Sequence, residues 1–224
     1  MGIFDFLFSS PHKKAEFIAA YEAGFGQKIP ASRGLSFLPF VVLDTETTGL
    51  EPKTDYILSF GAVKLRGFQI NMQESLEWYL RTPARSREAI EVHEILQPGE
   101  LIDLQAFGEQ FLTYIGNSIL VGHHVGFDLE MLTKALKPFG FRKFLNPVLD
   151  THSLAVRLEK GPHYDSSMGK PGEYSLDSLC ERYQITLDDR HTAAGDAYLT
   201  AQLLMKLLKL AEKKGIRSYG ELIR

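Results

Sequence analysis

The segment FVVLDTETTGL, residues 40–50, places two acidic residues directly after an apolar run. The run is typical of a buried strand, and Gly49 marks a turn beyond it. Asp44 and Glu46 are two residues apart, so on a strand their side chains point to the same face. Two carboxylates so placed repel each other unless a cation lies between them, or unless both are solvated turn residues. The pair alone leaves both interpretations open.

The composition is that of an ordinary globular domain, since 44% of the 224 residues are apolar and 24% are charged. The formal net charge of −3 excludes a protein coated in basic residues. Nucleic acid binding would therefore need a local basic patch or bound cations. Cys180 is the single cysteine, which excludes an internal disulfide and a zinc site built from several cysteines.

The sequence carries no clear membrane or export signal. No apolar run approaches the roughly 20 residues that cross a bilayer. The N-terminal stretch MGIFDFLFSS is apolar, but it is short, Asp5 interrupts it, and no basic residue precedes it. It also lacks the Ser or Thr at position 6 that the myristoylation pattern requires. We therefore expect a cytoplasmic protein.

The chain is predicted to divide into an extension, a main domain and a tail. Residues 1–37 contain a predicted helix, HKKAEFIAAYEAGFG, and then a proline-containing linker, and they are too few to bury a core of their own. Residues 38–214 begin with three strands and then alternate strands and helices, which predicts an α/β domain with a central mixed sheet. Residues 215–224 form the C-terminal tail.

Two later segments carry acidic residues that could join the first pair. VGHHVGFD places Asp128 at the start of a predicted helix, where the helix dipole alone would also favour it. HTAAGD places His191 and Asp196 five residues apart, which on a continuous helix would rotate them by roughly 140°. We therefore expect His191 in the loop or first turn and Asp196 within the helix. The small neighbours of Asp196 allow another backbone to approach closely, and a buried acid there needs a partner.

Taken in order, DTETTGL, GHHVGFD and HTAAGDA resemble the three motifs of the DnaQ-like 3′-to-5′ exonucleases. These form the histidine-bearing branch of the DEDD superfamily and include proteins like the epsilon subunit of DNA polymerase III. The resemblance covers about residues 39–212 and implies a ribonuclease H-like fold, an α/β fold in which helices flank a central mixed five-stranded sheet. The sequence departs from the family at His124, where Asn is usual, and at Glu94, where Gly is frequent.

The resemblance implies a site for two divalent cations, Mg²⁺ or Mn²⁺, that together promote hydrolysis of a phosphodiester. Asp44 would bridge both cations, while Glu46 and Asp196 would hold the first. Asp128 would act on the second cation, partly through water. His191 would take the proton from the attacking water, which its unperturbed pKa near 6.5 permits at neutral pH.

The resemblance also implies substrate contacts beside the acids. Leu50 would wedge against the terminal base, and His93 would lie near the terminal nucleotide. Phe127 is assigned either to the substrate or, as we favour, to core packing. The other candidate substrate-binding residues are Thr45, Thr47, Gly49, His123 and His124.

The implied activity is removal of nucleoside 5′-monophosphates from the 3′ end of single-stranded or frayed DNA, in polymerase proofreading or in repair. RNA 3′-end trimming uses the same kind of metal site, and a non-catalytic docking module would share the fold, so both stay open. The apolar stretch IFDFLF predicts docking on a polymerase, a sliding clamp or a second copy of the chain, or else packing on the main domain. A bacterial proofreading subunit would carry a longer tail after YGELIR, which argues against the role of main replicative proofreader.

Overall fold

The computed structural model describes residues 14–82, 101–164 and 169–224. Their strands, in chain order, are β1 (Phe40–Thr47), β2 (Ile57–Arg66), β3 (Gln69–Leu80), β4 (Leu101–Ile102), β5 (Ile119–Gly122) and β6 (Val148–Asp150). Their helices are α1 (Glu16–Ala23), α2 (Leu104–Ile115), α3 (Gly126–Leu136), α4 (Thr151–Lys160), α5 (Leu176–Arg182), α6 (Ala193–Lys213) and α7 (Tyr219–Leu222). Two 3₁₀ turns lie at Leu35–Phe37 and Lys137–Phe139.

The strands form one mixed sheet in the order β4-β3-β2-β1-β5-β6. β1 pairs antiparallel with β2 and parallel with β5, and β6 runs parallel to β5. The predicted α/β domain with a mixed sheet is therefore confirmed, but the described sheet has six strands where five were expected. The extra strand is β4, which pairs with β3 at Tyr79 and Leu80. A strand of two residues is too short to show a period in the sequence.

β1 lies inside the sheet and is covered on both faces, which explains its continuous apolar run. Phe40 and Val42 belong to a core that includes side chains of α4, α5 and α6. Val41 and Leu43 belong to a second core on the opposite face, with side chains of α1, α2 and α3. Since side chains alternate along a strand, the residues that follow in β1 continue toward these same two layers.

Helix α6 packs on the sheet at unusually close range. A Cβ atom added at Gly61 of β2 would lie 2.1 Å from the carbonyl carbon of Ala193, the first residue of the helix. Any side chain at this position would push the start of α6 away from the sheet. Gly61 and the small residues at the start of α6 therefore decide where that end of the helix lies.

The predicted helix of the N-terminal extension is confirmed as α1. Ile18 and Tyr21 of this helix are buried in the core shared with α2 and α3. The Tyr21 hydroxyl donates to Oδ1 of Asn146 at 2.6 Å and accepts from the backbone N–H of Leu145 at 2.9 Å. The described part of the extension thus packs against the main domain, whereas IFDFLF lies outside the described residues.

The predicted linker and tail contact each other. Leu35 and Leu38 are buried in the core that includes α6, and Gly34 forms a β-bridge with Ser218. Leu222 in the tail is also fully buried in this core. No helix within the described ranges is both long enough and apolar enough to cross a membrane.

Candidate active site

Three carboxylates meet at the carboxyl end of β1. Asp44 and Glu46 of β1 and Asp196 of α6 each offer an oxygen, and these oxygens lie within 4.8 Å of one another. Asp44 and Glu46 continue the alternation of Phe40 and Val42, so they point to the sheet face that α6 covers. The structure therefore brings together three of the four acidic residues singled out in the sequence.

The fourth acid, Asp128, reaches β1 from the opposite layer. It lies in the first turn of α3 and is buried. Its Oδ1 accepts hydrogen bonds from the backbone N–H of Thr45 at 2.9 Å and from the Thr45 hydroxyl at 2.6 Å. Thr45 points away from Asp44 and Glu46, as the strand alternation predicts. Asp128 is thereby fixed at the strand that carries the other acids, and its charge acts on Asp44.

The loop before α6 sets the positions of His191 and Asp196. Thr192 caps the helix, because its hydroxyl accepts from the N–H of Gly195 at 3.0 Å. A Cβ atom added at Gly195 would lie 1.9 Å from the carbonyl oxygen of Asp189, so the loop packs tightly on the first turn. His191 is exposed, with a φ of 66°, and immediately precedes the cap, while Asp196 lies in the first turn of the helix. The predicted placement of both residues is confirmed.

The acids perturb one another strongly. Burial, and then repulsion from Asp128, Asp196 and Glu46, raises the pKa of Asp44 well above its usual range. Burial and repulsion from Asp196 raise the pKa of Glu46 to about 7. Burial raises the pKa of Asp128 to about 7, although the two Thr45 hydrogen bonds lower it. Without a cation, the cluster therefore holds protons near neutral pH.

This donor set fits hard divalent cations. Mg²⁺ and Mn²⁺ prefer oxygen ligands, and carboxylates are their usual protein partners. Asp44, Glu46 and Asp196 supply three carboxylates whose oxygens already converge. The raised pKa values of Asp44 and Glu46 indicate that the cluster is short of positive charge, which a bound cation would supply.

Sequence reasoning missed Arg190 at this site. Its Nε donates to Oδ1 of Asp177 at 2.5 Å, and its Nη1 contacts Oδ1 of Asp196. The guanidinium thus joins α5 to the acid cluster, and its charge lowers the pKa values of Asp44 and Glu46. An arginine beside His191 in a polar loop has no sequence pattern that distinguishes it from a solvated one.

The turn after β1 carries several of the predicted substrate-binding residues. The hydroxyl of Thr47 donates to the carbonyl of Gly49 at 2.7 Å. A Cβ atom added at Gly49 would lie 2.6 Å from a carboxylate oxygen of Asp55, so a larger residue there would displace the Asp55 side chain. Leu50 follows with 86% of its surface exposed. The turn therefore presents an apolar side chain to solvent directly beyond the acids.

The remaining candidates differ in exposure. His123 is half-buried, with Nδ1 3.0 Å from the Thr151 hydroxyl, and burial followed by the nearby His124 lowers its pKa to about 4. His124 is exposed. Phe127 packs against the core shared by α2 and α3, in agreement with the packing interpretation. His93 lies outside the described residues, as does the stretch AIEVHEI that contains it.

Residues 41–204 match the family model described as Exonuclease, of the RNase T type. The PolC-type DNA polymerase III of Thermotoga petrophila is 33% identical over 205 residues, covering 86% of this chain but 14% of that protein. This chain therefore spans about one-seventh of that relative's length. The DNA polymerase III subunit epsilon of Aquifex aeolicus is 30% identical over 188 residues, covering 83% of this chain and 88% of that protein.

Solved structures share the fold. E. coli exonuclease I in complex with a dT13 oligonucleotide aligns with a TM-score of 0.63 and 17% identity, covering 80% of this chain and 42% of that one. Exonuclease X in complex with 5′ overhanging duplex DNA aligns with a TM-score of 0.58 and 21% identity, covering 82% of this chain and 96% of that one. These likenesses confirm the ribonuclease H-like architecture. Because the family model matches most of its length, this chain belongs to the RNase T/DnaQ-like family of 3′-to-5′ exonucleases, which are phosphodiester hydrolases.

Proposed function

We propose that this chain is a metal-dependent 3′-to-5′ exonuclease that releases nucleoside 5′-monophosphates from single-stranded or frayed DNA 3′ ends. The observation that carries the proposal is the convergence of Asp44, Glu46 and Asp196 beside Asp128 in a chain of this family. DNA is favoured because the relatives are named as DNA polymerase proteins and the similar structures hold DNA. Proofreading or repair are the processes that this activity fits.

Each of the four acids is assigned a role in holding cations. Glu46, Asp196 and Asp128 all repel the charge of Asp44, which supports assigning Asp44 as a carboxylate that would hold both cations. Glu46 and Asp196 would hold the first cation, and Asp128 would act on the second. When bound, divalent cations supply positive charge that polarises the phosphodiester and the attacking water.

His191 is assigned the proton of the attacking water. Its imidazole is exposed on the loop before α6 and lies close enough to Glu46 for its charge to lower that residue's pKa. An exposed imidazole on a loop can reach a water above the acids and act as a general base. The carbonyl of Asp189 packs tightly on Gly195, so the loop that carries His191 is held against the start of α6.

Leu50 is assigned to the terminal base. Leu50 is exposed over 86% of its surface and lies at the turn directly after the acids of β1. Contact with the flat face of a base would cover this apolar surface and place the 3′-terminal phosphodiester over the carboxylates.

The test is degradation of matched 5′-labelled DNA and RNA oligomers with Mg²⁺ or Mn²⁺. Wild type is compared with Asp44→Asn and with Glu130→Gln, an exposed carboxylate on α3. We expect a ladder that shortens from the 3′ end of DNA, at least about a hundredfold slower in Asp44→Asn and unchanged in Glu130→Gln. Faster degradation of RNA would correct the substrate class. No ladder from folded wild type with metal would overturn the activity and favour a non-catalytic docking module.

A further inference from the structure

Three histidines lie beside the acid cluster, at the same edge of the sheet. His123 and His124 follow β5, and His152 lies in the first turn of α4, directly after β6. β1, β5 and β6 are parallel neighbours, so their carboxyl ends meet at one edge. The rings of His124 and His152 are 4.3 Å apart between centroids and inclined by 35°.

We call the rings of His124 and His152 the histidine platform, and Tyr174 packs against the His152 ring. The ring of Tyr174 is buried and packs edge-on against His152, with centroids 6.0 Å apart. The guanidinium of Arg182 lies over the Tyr174 ring, 5.0 Å from its centroid. His124 is exposed and His152 is half-buried, so the platform presents ring surface to solvent.

The backbone below the platform is held firmly. One oxygen of Asp150 accepts from the N–H of Val125 at 2.9 Å, and the other accepts from the N–H of Ser153 at 2.9 Å. Asp150 therefore ties the start of α3 to the start of α4. His124 has a φ of 61°, a left-handed conformation that few residues other than glycine adopt. Such backbone conformations concentrate at functional sites.

The histidines do not converge on a common point as metal ligands would. Among the described residues, the group whose ligand atoms lie within 4.8 Å of one another is Asp44, Glu46 and Asp196. His124 and His152 are instead related through their ring faces, at 4.3 Å and 35°. This arrangement is suited to a flat partner rather than to an ion.

The platform lies at a suitable distance from the acids. Val121 pairs with Val42, so Gly122 at the end of β5 lies level with Leu43, the residue before Asp44. Because neighbouring strands are about 4.8 Å apart, the ends of β5 and β6 lie roughly 5 and 10 Å from Leu43. Successive bases of a stacked strand are about 3.4 Å apart. A nucleotide one to three positions upstream of the 3′ end can therefore reach the platform while the terminal phosphodiester lies at Asp44.

We propose that His124 and His152 stack against the base of a nucleotide upstream of the 3′ terminus, and so make the enzyme prefer oligonucleotides to single nucleotides. The inference rests on the proposed exonuclease function and assigns His152 as a specificity-determining residue. Histidine rings stack on unpaired bases, and such stacking tolerates any base because every base has a π-face. The ligand is therefore a single strand of nucleic acid, which binds more tightly when an upstream nucleotide is present, whatever its base.

The experiment compares two substrates, the p-nitrophenyl ester of thymidine 5′-monophosphate and an oligothymidylate of about eight nucleotides. The first has no upstream base, and the second does. We expect His152→Ala to raise KM for the oligomer about tenfold while kcat for the oligomer and kcat/KM for the ester stay at the wild-type values. His152→Phe, which keeps a ring face, should restore the oligomer KM. His163→Ala, an exposed histidine beyond the end of α4, is the matched control and should change neither substrate.

Each other outcome decides the question. An oligomer KM that His152→Ala leaves unchanged, or an equal loss on both substrates, would overturn the platform while leaving the exonuclease in place. Wild type that hydrolyses neither substrate would overturn the proposed function itself, and the platform with it. Circular dichroism melting of each variant shows whether a loss reflects unfolding, and His152→Phe serves as the folded comparison if the alanine variant is unstable.

Discussion

The backbone amide and the hydroxyl of Thr45 both donate to one oxygen of Asp128, at 2.9 and 2.6 Å. The two bonds join β1 to α3 where the layers of the fold meet. Both favour the ionised carboxylate, so they lower the pKa of Asp128 against the burial that raises it to about 7. Thr45 is therefore placed to keep Asp128 charged, whereas its predicted contact with substrate stays a prediction.

Thr45→Val removes the hydroxyl donor while keeping the shape of the side chain. The pKa of Asp128 should rise, so the acidic limb of the pH dependence of kcat/KM should move upward by about one pH unit. The measurement is the rate of DNA degradation with Mg²⁺ from acidic to alkaline pH. Thr45→Ser, which restores a hydroxyl, should return the limb toward its wild-type position. If the acidic limb of the Thr45→Val profile coincides with that of wild type, ionisation of Asp128 does not determine the pH dependence.

Glu46→Gln should make the metal-free protein less sensitive to pH. Folding raises the pKa of Glu46 from 4.5 to about 7, so its contribution to stability is fully present below pH 4.5 and is lost as the pH rises through 7. Glutamine does not ionise, so the melting temperature of the variant should exceed that of wild type increasingly over this interval in EDTA. Mg²⁺ at high pH should raise the wild-type melting temperature more than that of the variant. A difference that does not change with pH contradicts the raised pKa.

Gly61→Ala should push the start of α6 off the sheet. The added methyl would lie 2.1 Å from the carbonyl carbon of Ala193, and overpacking of this kind costs about 1–3 kcal/mol of unfolding free energy. The shift should also separate Asp196 from Asp44, so calorimetry should record weaker Mn²⁺ binding. Gly26→Ala is the control, because a Cβ atom there meets nothing within 4 Å. Equal stability and Mn²⁺ affinity in both variants would rule out the close approach.

Tyr21→Phe tests whether the extension is part of the folded unit. It removes the donor to Asn146 and the acceptor for the Leu145 N–H, both at buried or half-buried positions. The free energy of unfolding should fall by about 1–3 kcal/mol in urea, in a single transition. Tyr198→Phe, at an exposed position of α6, should change it little. A separate early transition that reports only on α1 would show that the extension folds apart from the domain.

Helices and strands with a clear apolar pattern or a characteristic residue spacing could be predicted from the sequence. The apolar run before Asp44 indicated β1, and the five-residue spacing of His191 and Asp196 placed the loop and helix correctly. The contacts of Arg190 and His152 could not be predicted, because Arg190 pairs with Asp177 of α5 and His152 packs against His124, and only the folded chain brings these residues together. The burial of Leu35 in the apparent linker escaped prediction for the same reason.

The position of Asp196 on a late helix has a consequence for biosynthesis. A chain made from its N-terminus acquires Asp44, Glu46 and Asp128 long before Asp196, and the carboxylate cluster closes only when α6 docks beside Gly61. Bringing Asp196 to the three earlier acids closes a long loop of chain, which is a late and entropically costly event. A nascent chain emerging among ribosomal and messenger RNA therefore carries three of its four acids without the assembled site, and the hydrolytic centre arises together with the finished fold.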